Sequence, residues 1–404
     1  MPIINALQHI FSSVERGYDQ RRKRGFQTVA LADELVGTED LRALEDAAVY
    51  VVSRERRAVR DFPVKQAFFR LPSGRFAIGR TVDWGMDSFG RDGNYLSHHL
   101  VLTRDGLLAA GADPFAILDA ARLAEGDLDL TPCAAAPLAI EVAAPEADFH
   151  GFDGISAELL ASLAAQAIDG VERTALLIGD EARAEVVLRG LFAALATEER
   201  LQMTFSTHFY ESSHLRSLFA LVTVGSRAEA PSQRGSYAVF DLDGGEFPRV
   251  SPASAYADWL ADCLRSGRRG DISALNAVLD GLRSSQIEIG KNVLPTGERA
   301  RAALWERAGT AVTRIIAGDA RLVVDFLRQL PSPRALADAL LDAAAPSELC
   351  RANASAENVN DCLSALRSAA TRKVWRAWVK RWDGDPTLEL ITQSRRKWWE
   401  RFRQ

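Results

Sequence analysis

The chain has 404 residues, 47% of them hydrophobic and 25% charged, with a formal net charge of −5. At roughly 150 residues per domain this length gives two or three domains, each able to bury a core, and the apolar fraction is too high for a disordered chain. No apolar run approaches the roughly 20 residues of a membrane helix, the N-terminus has no continuous apolar stretch for secretion, and the four dispersed cysteines (Cys133, Cys263, Cys350 and Cys362) suit a reduced cytoplasm.

The expected fold class is α+β in three parts. Residues 1–147 read as a strand-rich mixed domain, 148–253 as a small α/β domain, and 254–404 as an all-helical domain ending in a basic, Trp-rich tail. In the first part, polar residues alternating with Ile10, Phe11 and Phe26 place Gln8, Ser12 and Gln27 along one sheet edge. The run Arg21-Arg22-Lys23-Arg24 is either an anion-holding loop or a solvated loop tip. Apolar spacing of three and four predicts helices over Thr38–Ala47 and Pro114–Glu125. Between them Ala48–Ser53, Gln66–Leu71, Phe76–Val82 and Tyr95–Thr103 read as strands, rich in β-branched and aromatic residues. The Pro-, Ala- and Gly-rich stretch Thr131–Gly154 marks the first boundary.

In the second part Ser156–Ile168 reads as a helix and Thr174–Ile178 as a buried strand. Asp180 then caps the helix Glu181–Ala196, and it also stands where α/β sheets bind ligands. Strands follow at Leu201–Phe209, Leu218–Val224 and Ser236–Asp241, with a loop at Gly225–Gly235 and a turn at Asp243-Gly244-Gly245. The third part reads as helices over Ala255–Ser266, Asp271–Ser284, Gly297–Ala317, Ala320–Gln329, Arg334–Ala343, Ala356–Trp382 and Leu388–Phe402, punctuated by glycine and proline.

The densest polar cluster is Gly90-Arg91-Asp92-Gly93-Asn94-Tyr95-Leu96-Ser97-His98-His99. Arg91, Asn94 and one of His98 or His99 could form a binding or acid–base site beside a tight turn. The plainer alternative is hairpin chemistry, with Gly93 and Asn94 tolerating positive φ. Adjacent strand residues point to opposite faces, so His98 and His99 do not share one metal. No metal site, cofactor or catalytic residue is expected. The nearest approach to a phosphate-binding loop, Gly290-Lys291, is followed by Asn292, and GxSxG, HExxH and GxGxxG are missing. The chain is therefore not expected to be a P-loop NTPase itself.

Residues 372–404 hold ten basic and four acidic side chains, a balance of +6, which leaves −11 on the rest. That acidic body argues against general nucleic-acid binding. Of the 49 basic residues only six are lysine, a bias of the whole chain. Five of eight tryptophans lie in the tail, and Trp375, Trp378 and Trp382 share a helix face. The stripe could dock on the helical domain. It could also form a protein interface with Arg396, Trp398 and Trp399. Stacked on bases, with arginine on phosphate, it would suit single-stranded nucleic acid, and its charge would suit an anionic membrane surface.

The segments Gln8-His9-Ile10-Phe11-Ser12-Ser13, Gly17-Tyr18, Gly25-Phe26-Gln27-Thr28-Val29-Ala30, and Gly90-Arg91-Asp92-Gly93-Asn94-Tyr95 with His98-His99-Leu100 carry a resemblance. Together they look like the type-two N-terminal domain of the bacterial GTPase-associated protein family. The block Ala182–Thr207 is similar to that family's middle domain. The resemblance implies a regulatory or adaptor component acting beside a separately encoded GTPase or other NTPase in bacterial conflict or defence. It supplies no catalytic residues. The expected function is thus a non-enzymatic cytoplasmic adaptor with a protein partner. The rivals are an enzyme site around Arg91, Asn94, His98 and His99, and nucleic-acid binding through residues 372–404.

Overall fold

The computed structural model describes residues 1–18, 24–123, 130–143, 157–169, 173–210, 218–231, 236–248, 254–284, 333–343 and 356–384, with 299, 303, 323–324, 327–328 and 345. The chain divides into two compact units. The first holds residues 1–253 and 260–265, and the second holds 254–259 and 266–404.

The first unit is built on one mixed sheet. Its strands are β1 (Ile3–Val14), β2 (Gly25–Leu31), β3 (Lys65–Arg70), β4 (Phe76–Met86), β5 (Asp92–Leu102), β6 (Cys133–Ala134), β7 (Leu138–Glu141), β8 (Ala175–Ile178), β9 (Phe205–Ser206), β10 (Leu221–Val224) and β11 (Ala238–Asp241). Their order is β11-β8-β10-β9-β3-β4-β5-β1-β2-β6, with β7 paired to the start of β1. Strands β3, β4, β5, β1 and β2 run antiparallel in succession, whereas β11, β8, β10 and β9 are parallel. An antiparallel pairing of β9 with β3 joins the two blocks. Strands of the first two expected parts therefore lie in one sheet.

Both faces of this sheet are covered, which explains why β5 is buried from Asn94 to Leu102 although Asn94, Ser97, His98 and His99 are polar. On one face Phe68 and Phe205 pack with Phe115 of α4 (Pro114–Ala120) and Phe192 of α6 (Glu181–Ala194). On the other, Phe69, Ala77 and Val101 form a core with Leu44 and Ala47 of α1 (Glu39–Ala48). Helix termini follow side-chain capping. Thr38 accepts from Leu41 N, Asp113 from Phe115 N, and Asp180 from Arg183 N, so the cap expected at Asp180 is present.

Several expected elements change. Ala48–Ser53 is not a strand. Helix α1 runs through Ala48, and Tyr50 and Val52 are buried against Phe11 and Tyr95. Their apolar alternation records burial, and Val51 O is taken by His208 Nε2 at 2.8 Å instead of a neighbouring strand. Leu201–Phe209 shrinks to the two residues of β9, because the helical turn Thr197–Arg200 is followed by a tight turn at Leu201 and Gln202. Helix α4 stops at Ala120, short of Glu125. The strands β6 and β7 arise inside the Pro- and Ala-rich stretch, as additions to β2 and β1. Gln8 and Ser12 do not line an edge, because β1 has β2 on one side and β5 on the other, whereas Gln27 lies on β2, whose pairing with β6 is at Ala30 and Leu31.

In the second unit, helices cover Arg269–Ser284, Arg334–Ala343, Ala356–Ala369 and Arg372–Arg381. The expected Ala356–Trp382 helix is interrupted at Thr371. Its backbone is extended, its N–H donates to Asp338 Oδ1 at 2.8 Å, and its hydroxyl accepts from Val374 N. Most of Gly297–Ala317 and Ala320–Gln329, and all of Leu388–Phe402, lie outside the described residues. No helix among the described residues is long and apolar enough to cross a membrane.

Candidate functional site

Three strands bring the polar residues of the first domain to the middle of the sheet. In register, His9 stands opposite His99, Ile10 opposite His98, and Ser12 opposite Gln27. His99 in turn faces Gly79 of β4. The two adjacent histidines of β5 thus project to opposite faces, as strand geometry requires.

On the face covered by α1, the rings of His9 and His99 stack at 5.4 Å with their Nδ1 atoms 3.2 Å apart. His9 Nε2 lies 3.0 Å from Thr28 Oγ1, and the Thr28 hydroxyl donates to Glu45 Oε1 at 2.9 Å. A hydroxyl has one proton, and Glu45 takes it. Thr28 must then accept from His9 Nε2–H, which leaves His9 Nδ1 bare and makes His99 Nδ1–H the donor to it. The chain His99→His9→Thr28→Glu45 has one direction and ends on a carboxylate. Both imidazoles are neutral, because complete burial lowers the pKa of His9 to about 3 and that of His99 well below its usual 6.5.

On the same side, buried Lys65 donates from Nζ to Ala47 O at 2.6 Å and Val49 O at 2.9 Å, closing the C-terminus of α1. Desolvation lowers its pKa to about 7. The neutral amine keeps two N–H groups, enough for both carbonyls. His208 donates Nε2–H to Val51 O, and burial lowers its pKa to about 4.

The remaining candidates go elsewhere. His98 Nε2 meets Gln8 Oε1 at 3.0 Å on the opposite face, and Gln8 Nε2 donates to Ala136 O at 2.5 Å. Burial lowers the His98 pKa to about 4. Asn94 is buried, and its Oδ1 accepts from Ser13 N at 3.1 Å and Tyr95 N at 2.9 Å, with the Ser12 hydroxyl 3.2 Å away. Gln27 donates Nε2 to Val14 O at 3.2 Å, while its Oε1 is buried without a partner among the described residues. Arg91 stands apart from all of these, 71% exposed at the hairpin tip. The turn itself lies three residues earlier than expected. Asp87 Oδ1 accepts from Phe89 N and Arg91 N, and Asp92–Asn94 already belong to β5, with only Gly93 at positive φ. Arg91, Asn94, His98 and His99 do not converge.

His9, Thr28, Glu45, Lys65 and His208 were not singled out from the sequence. Their juxtaposition has no local signal, because they meet only through strand pairing and helix packing, although His9 and Thr28 stand in the segments that carry the resemblance. Among the described residues no group of three or more His, Cys, Asp or Glu side chains is placed to hold a metal. In the second unit, Trp375 and Trp378 are buried, with their rings stacked at 5.6 Å, and Trp382 is half-buried. The buried pair presents no ring for a base to stack on. Arg396, Trp398 and Trp399 lie outside the described residues, as does the run from Arg21 to Lys23.

Residues 5–136, about the first third of the chain, match the family model for GTPase-associated protein 1, N-terminal domain type 2. The match covers the segments on which the resemblance to the N-terminal domain was read and bears that part out, while the block Ala182–Thr207, likened to the middle domain, lies outside it. A search of the curated proteins found no match.

Proposed function

We propose that this chain is a cytoplasmic, non-enzymatic adaptor or regulatory component that acts with a separately encoded GTPase, or another NTPase, in a bacterial conflict or defence system. The observation that carries the reading is the GTPase-associated domain matched over residues 5–136. The geometry lends support. Most of the polar residues of this domain's motifs are spent on internal hydrogen bonds that fix strand register, and among the surfaces the domain offers outward is the tip of the β4–β5 hairpin. There Met86 and Phe89 are exposed, and the Arg91 guanidinium lies 4.9 Å above the Phe89 ring. Asp87 ties the loop with two backbone bonds and an Arg91 ion pair, so the tip is held in shape before any partner arrives. An aromatic ring with an arginine, preorganised and surrounded by polar residues, is the composition of an interface anchor.

The test is affinity purification of the tagged chain from its native host, followed by mass spectrometry. A co-purifying protein with a nucleotide-binding P-loop is expected, and Phe89→Ala together with Arg91→Ala is expected to lose it without unfolding the chain. Recovery of the lone chain under gentle conditions would count against the proposal.

A further inference from the structure

The helix Arg372–Arg381 is divided around its circumference. Trp375 and Trp378 are buried, with Val374, Val379 and Trp382 partly so, and these five share one arc. The other arc carries Arg372, Lys373, Arg376, Lys380 and Arg381, all exposed, with Ala377 among them. Among the described residues none of these five cations has an ion-pair partner.

Part of this charge placement works against the helix that bears it, although Lys380 and Arg381 lie in the last turn, where cations are favoured. Arg372 and Lys373 occupy the first turn, which holds no acidic residue, although the N-terminal end of a helix dipole favours carboxylates. Arg372, Arg376 and Lys380 follow at intervals of four, so like charges repel along one ridge. A pattern that costs local stability and returns no internal contact is the kind found at functional surfaces.

We propose that this face binds the phosphate backbone of a nucleic-acid duplex. From Arg372 to Lys380 the helix rises about 12 Å, a span over which a duplex presents about seven phosphate charges. Contacts to phosphate need cations and no apolar anchor. Other occupants fit less well. A protein hot spot draws on aromatic anchors, and a single strand draws on stacking, but the buried tryptophans of this helix supply neither. A helix lying in a membrane surface needs its apolar arc for lipid, and that arc is packed within the unit.

The experiment is a fluorescence-anisotropy titration of the full chain against a labelled mixed-sequence duplex of about 20 base pairs, between about 50 and 200 mM salt. If three to five cations meet phosphates, log affinity falls against log salt with a slope of about −3 to −4.5. The double variant Arg376→Gln with Lys380→Gln is expected to flatten the slope by about 2. Arg376→Lys, which keeps the charge, is expected to retain it. Circular dichroism confirms that these exposed substitutions leave the fold intact. Absence of binding at the lowest salt overturns the proposal, and so does a slope unchanged in the double variant. Tighter binding to vesicles containing phosphatidylserine than to the duplex also overturns it, by assigning the face to a membrane.

Discussion

At Gly79 a single hydrogen atom on Cα decides whether the histidine pair can exist. A Cβ built there would stand 2.1 Å from His99 Cδ2 and 2.8 Å from its Nε2. The ring lies across β4 with no room to retreat, since His99 is also stacked on His9 and packed edge-on against Phe69. Gly79→Ala is therefore expected to destabilise the first unit by about 1–3 kcal/mol, the usual cost of overpacking a core. The midpoint of urea unfolding, compared with the unsubstituted chain, checks this. An unshifted midpoint would mean that His99 can swing away, and the directional chain to Glu45 with it.

At the scale of elements, the same side-chain chemistry recurs at helix ends. Asp180 caps α6, Thr38 caps α1, and Thr371 begins a new helix where periodicity alone reads straight through. Asp180 is exposed and its side chain accepts from Arg183 N at 3.0 Å, so its capping role can be tested cleanly. Asp180→Ala is expected to cost about 1 kcal/mol, read as a lower thermal midpoint with far-UV dichroism otherwise unchanged. Asp180→Ser, which restores an acceptor, is expected to recover most of the loss. A substantially larger cost from Asp180→Ala would point to a role beyond the cap. The opposite end of α1 uses a less legible device, the buried amine of Lys65, which reaches its carbonyls only because β3 passes beneath the helix terminus.

For the molecule as a whole, the buried bases set the direction of its pH response. In the unfolded chain, histidines take up protons as pH falls through 6.5. In the folded chain His9 waits until about 3 and His98 and His208 until about 4, with His99 also held far down by burial. Between about pH 6.5 and 4 the unfolded state binds more protons, so each of these groups lowers stability as the pH falls. Lys65 acts in a second window. The folded state releases its proton near pH 7 and the unfolded state near 10.5, so stability rises with pH between those values. Denaturant midpoints measured from pH 5 to 9 are expected to fall steeply below about 6.5 and to be highest on the alkaline side. A midpoint that holds level down to pH 5 would show that the histidines are not buried neutral.

Much of this was readable in advance for a local reason. The strands Gln66–Leu71 and Phe76–Val82, the helices Thr38–Ala47 and Glu181–Ala196, and the Asp180 cap depend on residues within a few positions of one another, and the structure returns all of them with small changes of boundary. The N-terminal motifs were legible too, since their short segments match a family over residues 5–136. What those polar residues do was not legible. Asn94 and His98 look outward-facing when read one strand at a time, yet both are buried once β1 lies between β2 and β5 and helices cover both faces, and Gln8 is partly buried beside them. The alignment of His9, Thr28, Glu45 and His99 depends on register between strands nearly a hundred residues apart, and no local pattern encodes that. Burial of Trp375 and Trp378 was likewise decided by packing: periodicity put them on one helix face, and only the folded helices determined that this face turns inward and the five cations outward.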